Sequence, residues 1–131
     1  MPVDVLIIDD SVPLRTLLKR RLETIGCRVV GEAGDAFQGY TLYNSLHPHL
    51  ITLDLMMPLI EQMDAKLLFR AIRKESPGTA IIVISAQPKT QEKADYLREG
   101  AIAYVQKPFI DFESLADQLR QIFPELARAK P

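Results

Sequence analysis

The sequence is short of cysteine, of excess charge and of long apolar runs, and each shortage excludes a class of protein. Cys27 is the single cysteine in 131 residues, which excludes an internal disulfide and fits a reducing compartment. Sixteen basic and seventeen acidic residues give a formal net charge of -1, so we expect no direct binding of nucleic acid or of an anionic membrane surface. The apolar runs are far shorter than a membrane span, and the first residues resemble neither a basic leader nor a cleavage site. We therefore expect a cytoplasmic protein without a membrane segment.

What the sequence does contain is a regular alternation of short aliphatic runs with segments of helical periodicity. The predicted strands lie at residues 3–8, 28–33, 50–55, 80–85 and around Tyr104 and Val105. The predicted helices run from Ser11 to Gly26, from Asp35 to Leu46, around Leu67, Leu68, Ala71 and Ile72, from Thr90 to Glu99, and along Leu115, Leu119, Ile122 and Leu126. Strands that alternate with helices predict an α/β fold with a parallel sheet covered on both faces. We expect one domain over residues 1–131, with a core at about 3–124 and a frayed tail at 125–131.

Four of the five predicted strands end in, or are followed by, a polar or charged side chain. Asp9 and Asp10 follow the first strand, Asp54 lies at the end of the third, Ser85 at the end of the fourth, and Lys107 follows the fifth. In open parallel sheets, ligands bind outside the carboxyl ends of the strands. The sequence therefore predicts that three carboxylates, a hydroxyl and an ammonium meet at one rim of the sheet.

Converging carboxylates require a cation. Two carboxylates about 4 Å apart repel by roughly 4 kcal/mol at an effective dielectric constant of about 20, and a divalent ion relieves this repulsion. A ligand set of oxygens suits Mg²⁺ better than Zn²⁺, for which the chain offers one cysteine and two histidines. A carboxylate beside Mg²⁺ can attack a phosphoryl group, while the ion, Lys107 and the Ser85 hydroxyl hold the phosphoryl oxygens.

Four short motifs resemble those of the receiver domain of two-component response regulators, the CheY-like family. They are DDS at 9–11 followed by Arg15, LDLMMP at 53–58, ISA at 84–86 and GAIAYVQKPF at 100–109. Their order and spacing match the family over essentially the whole chain. The resemblance implies a flavodoxin-like (βα)5 fold, with a five-stranded parallel sheet of order 2-1-3-4-5.

The resemblance also implies roles at the acidic end of the site. Asp54 would be the phosphorylated residue and a metal ligand, and Asp10 would bind Mg²⁺ directly. Asp9 would reach the ion largely through water, and Met56 would contribute its backbone carbonyl.

Further roles follow from the same resemblance. Lys107 would bind the phosphoryl group and would precede a cis bond to Pro108, while Ser85 and Tyr104 would form the switch pair. In that family a sensor histidine kinase or a phosphotransfer protein donates the phosphoryl group, and a downstream protein or an output domain responds to it. The domain catalyses its own phosphorylation and dephosphorylation, so we expect no turnover of an external substrate. A dimer that forms on phosphorylation is left open.

One stretch departs from the family pattern. After Pro58, where a sequence similar to G-M-D-G is expected, the chain reads Leu59-Ile60-Glu61-Gln62. Gln62 stands where the family usually has glycine, and glutamine resists a positive φ, so the shape of this loop is left open. Leu59 and Ile60 are candidates for an exposed apolar spot beside Asp54.

Two other classes of function compete with a switching receiver. A pseudo-receiver that acts as a constitutive scaffold is kept open by Glu61 and Gln62, although the intact acids, Ser85 and Lys107 argue against it. A Mg²⁺-dependent phosphohydrolase of the haloacid dehalogenase type uses similar groups. That class expects a D-x-D nucleophile pattern at the first strand, which this sequence does not have.

Overall fold

The computed structural model describes residues 2–86, 90–107 and 111–126, in which five strands alternate with five helices. The elements are β1 (Val3–Ile8), α1 (Val12–Thr24), β2 (Cys27–Ala33), α2 (Ala36–Leu46), β3 (Leu50–Asp54), α3 (Ala65–Glu75), β4 (Ala80–Ser85), α4 (Thr90–Arg98), β5 (Ala103–Gln106) and α5 (Phe112–Ile122). All strand pairs are parallel, and the order across the sheet is β2-β1-β3-β4-β5. The predicted fold and strand order are therefore confirmed.

Helices cover both faces of the sheet because alternate residues of each strand point to opposite sides. In β1, Leu6 and Ile8 pack into an apolar cluster with α2, α3 and α4, whereas Val5 and Ile7 pack into a second cluster with α1 and α5. Burial on both faces explains why these strands are nearly continuous aliphatic runs.

Side-chain caps explain where several of the helices begin. The oxygens of Ser11, Asp35, Asp64 and Asp111 each accept a hydrogen bond from the backbone N–H three residues further on. Pro13 lies in the first turn of α1, where the missing N–H causes no loss. All four helices therefore begin in loops that follow the carboxyl ends of strands, at the edge of the sheet where the site is predicted.

Some details of the packing differ from the prediction. Leu67 is 49% exposed, because the buried side of α3 is formed by Ala65, Leu68, Phe69 and Ile72. Ile122 is 43% exposed at the end of α5. The expected fraying from residue 125 does not extend to Leu126, whose side chain is buried beside Gly26.

Residues 127–131 of the expected tail and Pro108 of the expected cis bond lie outside the described residues. None of the helices in the described ranges combines the length and the apolar character that crossing a membrane requires.

Candidate functional site

The structure brings the three predicted carboxylates together at the carboxyl ends of β1 and β3. One oxygen from each of Asp9, Asp10 and Asp54 lies within 4.8 Å of the others. Asp9 and Asp54 are 1% and 0% exposed, whereas Asp10 is exposed at the mouth of the pocket. The strand ends thus form an acidic pocket with two buried walls and one open side.

Lys107 supplies the positive charge of this pocket. Its Nζ lies 3.2 Å from Asp9 Oδ2 and 3.4 Å from Asp54 Oδ2. The backbone N–H of Lys107 donates to the carbonyl of Ser85 at 3.0 Å, which ties the end of β5 to the end of β4. Burial lowers the pKa of the Lys107 ammonium, but the charges of Asp54 and Asp9 outweigh burial and raise this pKa overall.

The surroundings of Asp54 disfavour the ionised form of its carboxyl group. Burial raises the pKa of its carboxyl group, and the neighbouring charge of Asp9 raises it further. The Met56 N–H, which donates to Asp54 Oδ1 at 3.0 Å, and the Lys107 ammonium act in the opposite direction. The balance leaves the pKa of Asp54 above its ordinary value.

The pocket fits a hard divalent cation. Asp9 Oδ2 and Asp54 Oδ2 are buried and accept no hydrogen bond, and among the described residues they face Lys107 at ion-pair distance. Three carboxylates against one ammonium leave negative charge uncompensated, and the exposed side at Asp10 leaves room for water ligands, as Mg²⁺ requires. Cys27 lies at the opposite end of the sheet, and burial raises the pKa of its thiol to about 11, so it offers no thiolate ligand.

The loop after β1 is held by residues whose role the sequence did not reveal. The Ser11 N–H donates to Asp9 Oδ1 at 2.8 Å, and Arg15 Nη1 donates to the backbone carbonyl of Asp9. Arg15 Nε also donates to Glu32 Oε1 at 3.2 Å, which fastens α1 to the end of β2. Arg15 belongs to a quoted motif, but nothing in the sequence indicates Glu32 as its partner.

Ser85 and Tyr104 lie on neighbouring strands. Ser85 ends β4 and is 1% exposed, whereas Tyr104 on β5 is half-buried. Tyr104 pairs with Val83, two residues before Ser85, so the two side chains leave the same face of the sheet. The Tyr104 hydroxyl donates to Glu92 Oε1 at 2.7 Å, and Glu92 was not among the predicted site residues.

The loop between β3 and α3 contains a tight turn in spite of its missing glycine. Glu61 and Gln62 have φ values of 50° and 61°, and Ile60 and Met63 exchange two backbone hydrogen bonds. Positive φ at both central residues defines a type I′ turn. Gln62 therefore does adopt the conformation that glutamine was expected to resist.

The same loop exposes apolar side chains close to the acidic pocket. Met56 is 48% exposed, Leu59 61% and Ile60 37%, which agrees with the predicted apolar spot at Leu59 and Ile60. The side chain of Met56 is exposed, but its backbone lies beside Asp54, and its N–H donates to the Asp54 carboxylate.

Comparison with known proteins identifies the family of this chain. Residues 5–120 match the family model of the response regulator receiver domain. The chain is 33% identical over 105 residues to the chemotaxis protein CheY of Thermotoga maritima, covering 80% of this chain and 85% of that protein. It is 36% identical over 105 residues to the probable transcriptional regulator ycf27 of Cyanophora paradoxa, covering 80% of this chain but 42% of that relative.

A solved structure gives the same result for the fold. In the CheX-CheY-BeF3-Mg complex from Borrelia burgdorferi, the similar chain has a TM-score of 0.83 and 28% identity, with 94% of this chain and 90% of that chain covered. The chain belongs to the response regulator receiver domain family, whose members act in two-component signalling. Receiver domains bind Mg²⁺ at an acidic pocket, and in this chain Asp9, Asp10 and Asp54 form a cluster of carboxylates at the strand ends.

Replacing Asp54 by Asn is expected to stabilise the metal-free domain. A carboxyl group whose pKa is raised by folding is protonated in both states below its ordinary pKa of 3.8, and its ionisation opposes folding above the raised value. We therefore expect Asp54→Asn to increase the free energy of unfolding at neutral pH by on the order of 1 kcal/mol, and the gain to vanish as the pH falls below 3.8. Urea unfolding in chelator across this pH range measures the difference. Asp35→Asn, which preserves the cap of α2, should change little, and a loss of stability in Asp54→Asn at neutral pH would contradict this assignment of strain.

Replacing Gln62 by Gly is expected to relieve the turn after β3. A side chain in the left-handed region is unfavourable by about 1 kcal/mol or more, and glycine removes this strain but adds freedom to the unfolded chain. The net expectation is a gain of about 0.5–1 kcal/mol in the free energy of unfolding, measured with urea. Gln118→Gly on the exposed side of α5 is the matched control, with an expected loss of about 1 kcal/mol. Equal losses in both variants would show that Gln62 is not strained.

Proposed function

We propose that this receiver domain accepts a phosphoryl group on Asp54 from a phosphohistidine of a sensor kinase or a phosphotransfer protein. The observation that supports this proposal most strongly is the position of Asp54, buried at a strand end between a second carboxylate and Lys107. A buried carboxylate with raised proton affinity is also a better nucleophile than an ordinary surface acid. Asp10 is exposed beside the buried pair of Asp9 and Asp54, so a donor would approach from the side of Asp10.

The transfer replaces one phosphorus bond by another. An Asp54 carboxylate oxygen attacks phosphorus, and the bond from phosphorus to the imidazole nitrogen breaks. With a proton on the other ring nitrogen of the phosphohistidine, the imidazole leaves as a neutral group with that electron pair. Lys107, whose Nζ lies 3.4 Å from Asp54 Oδ2, would neutralise one phosphoryl oxygen, and the Ser85 hydroxyl would donate to another. Mg²⁺ held by Asp9, Asp10, Asp54 and the Met56 carbonyl would neutralise the charge that develops on the transferred group.

Phosphorylation then acts as a switch. As Ser85 turns toward the phosphoryl oxygens, space opens on the face of the sheet that Tyr104 shares, and the Tyr104 ring turns into it. A state populated at about one per cent lies about 2.7 kcal/mol above the major state, so a few new contacts suffice to reverse the populations. The surface formed by α4, β5 and α5 would change with it and alter protein binding.

The downstream partner is a protein or an output domain. The chain spans 42% of the ycf27 relative, a probable transcriptional regulator, and 85% of the CheY protein of Thermotoga maritima. The similar structure from Borrelia burgdorferi pairs a CheY with CheX. We propose a cytoplasmic location, where kinase and partner would meet the domain.

Incubation with acetyl phosphate tests the phospho-acceptor. In Mg²⁺ the domain should gain the mass of one phosphoryl group, and it should gain none in chelator or as Asp54→Asn. Asp117→Asn on the exposed surface of α5 is the matched control and should be phosphorylated normally.

The other outcomes separate the competing classes. No mass gain by the unaltered domain would favour the constitutive pseudo-receiver. Steady release of phosphate from small phosphate esters would favour the phosphohydrolase. Phosphorylation that persists in Asp54→Asn would place the acceptor at another residue.

A further inference from the structure

Helix α4 holds the Tyr104 ring at two points. Its hydroxyl donates to Glu92 Oε1 at 2.7 Å, and its ring centroid lies 6.4 Å from that of Tyr96. Tyr96 in turn packs edge-on against Phe69 of α3, with centroids 4.9 Å apart. The position of Tyr104 is thus tied to α4 through a hydrogen bond and to α3 through a row of aromatic rings.

The hydrogen bond to Glu92 is the more selective of these two contacts. Rings can slide against each other with little loss, whereas a hydrogen bond requires one placement of the hydroxyl. A bond accepted by a carboxylate is also stronger than one accepted by a neutral group. Both partners are partly buried, which reduces the competition from water.

Glu92 lies in a groove of mixed charge. The groove has a volume of about 280 Å³ and lies between α3, which contributes Lys66 and Arg70, and α4 with the residue that follows it, which contribute Asp95 and Glu99. Arg70 pairs with Glu99 at 3.5 Å, so this cation is already engaged by another carboxylate. Glu92 therefore accepts a hydrogen bond from Tyr104, whereas Glu99 in the same groove forms an ion pair with Arg70.

Strand register connects this bond to the phosphorylation site. Tyr104 pairs with Val83 and Gln106 pairs with Ser85, so Tyr104 lies one diagonal step from Ser85 on the face that α4 covers. The bond to Glu92 fixes the Tyr104 hydroxyl at α4. A turn of the Tyr104 ring toward Ser85 would move this hydroxyl and therefore requires that the bond to Glu92 break.

We propose that Glu92 is a positioning residue that holds Tyr104 in its unphosphorylated arrangement and so sets how far the resting domain populates the switched state. The proposal rests on the proposed function, in which phosphorylation of Asp54 turns Tyr104. Under this proposal, a side chain of α4 that does not belong to the acidic pocket sets how readily the domain switches when Asp54 is phosphorylated.

Beryllofluoride binding in Mg²⁺ measures this control, because BeF3⁻ imitates the phosphoryl group without chemistry. Without its acceptor, Tyr104 turns more readily, and Glu92→Ala should bind BeF3⁻ about three- to tenfold more tightly. Glu92→Gln, which keeps a weaker neutral acceptor, should lie between Glu92→Ala and the unaltered domain. Glu99→Ala, which removes an equal charge from the same groove, should bind as the unaltered domain does.

A double-mutant cycle isolates the pair. In a Tyr104→Phe background there is no hydroxyl to hold, so Glu92→Ala should no longer change the affinity for BeF3⁻. Ring-labelled tyrosine gives a second reading: the chain has four tyrosines, and Tyr104→Phe identifies the resonance of Tyr104. That resonance should shift in metal-free Glu92→Ala and remain in place in Glu99→Ala.

The outcomes distinguish the two proposals. If the unaltered domain binds BeF3⁻ and Glu92→Ala binds it equally or more weakly, the role of Glu92 is overturned while the phospho-acceptor stands. An undiminished effect of Glu92→Ala in the Tyr104→Phe background would also overturn it, since Glu92 would then act through another group. If the unaltered domain binds no BeF3⁻ and gains no phosphoryl group, the function itself fails, and the role of Glu92 fails with it.

Discussion

The structure depends on the repulsion between carboxylates that the sheet brings together at its end, which the ammonium of Lys107 only partly offsets. Parallel strands that are buried on both faces end together at one rim, and two of these ends place Asp9 and Asp54 where water is excluded. One ammonium shared by two buried carboxylates, with a third at the mouth, leaves the pocket short of positive charge. A divalent ion would add the missing charge, and under the proposed function a phosphoryl group would bind to the ion and the ammonium together.

Other contacts in the fold hold the charged groups of this pocket in position. Arg15 and Ser11 hold the loop that presents Asp9, and the backbone of Lys107 is bonded to the carbonyl of Ser85. Asp54 is thereby connected, through Lys107, to the ends of β4 and β5. Tyr104 connects β5 to α4 through Glu92 and Tyr96. Under the proposed function, a change of charge at Asp54 would alter the surface at α4 without any large movement of the sheet.

The sequence predicted the sheet and the rim because both depend on local patterns. Aliphatic runs identify strands, and residues that follow a strand must lie at its carboxyl end, so Asp9, Asp10, Asp54, Ser85 and Lys107 could be placed before any coordinates were known. The resemblance to receiver domains then supplied roles that spacing alone does not contain. Leu67 and Ile122 were misplaced because helical periodicity fixes a stripe only to within a neighbouring position, and packing decides which residues it buries.

Contacts that single side chains make away from the strand ends were beyond the reach of the sequence. Glu92 precedes Tyr104 by twelve residues and Glu32 follows Arg15 by seventeen, and neither acid differs in its local pattern from an ordinary surface residue. The turn at Glu61 and Gln62 was misjudged for another reason: the hydrogen bonds between Ile60 and Met63 impose a backbone that the central residues alone would avoid. Local preference was overruled there by the closure of the loop.

The central claim is that the strand ends form one ion-binding pocket, and paramagnetic relaxation tests it most directly. Mn²⁺ takes the place of Mg²⁺ among oxygen ligands and broadens the amide signals of residues near the ion. We expect broadening that begins at the ends of β1 and β3, around Asp9, Asp10 and Met56, and that excess Mg²⁺ reverses. Broadening centred instead on the acids of α4, or spread over the surface without reversal, would contradict the account.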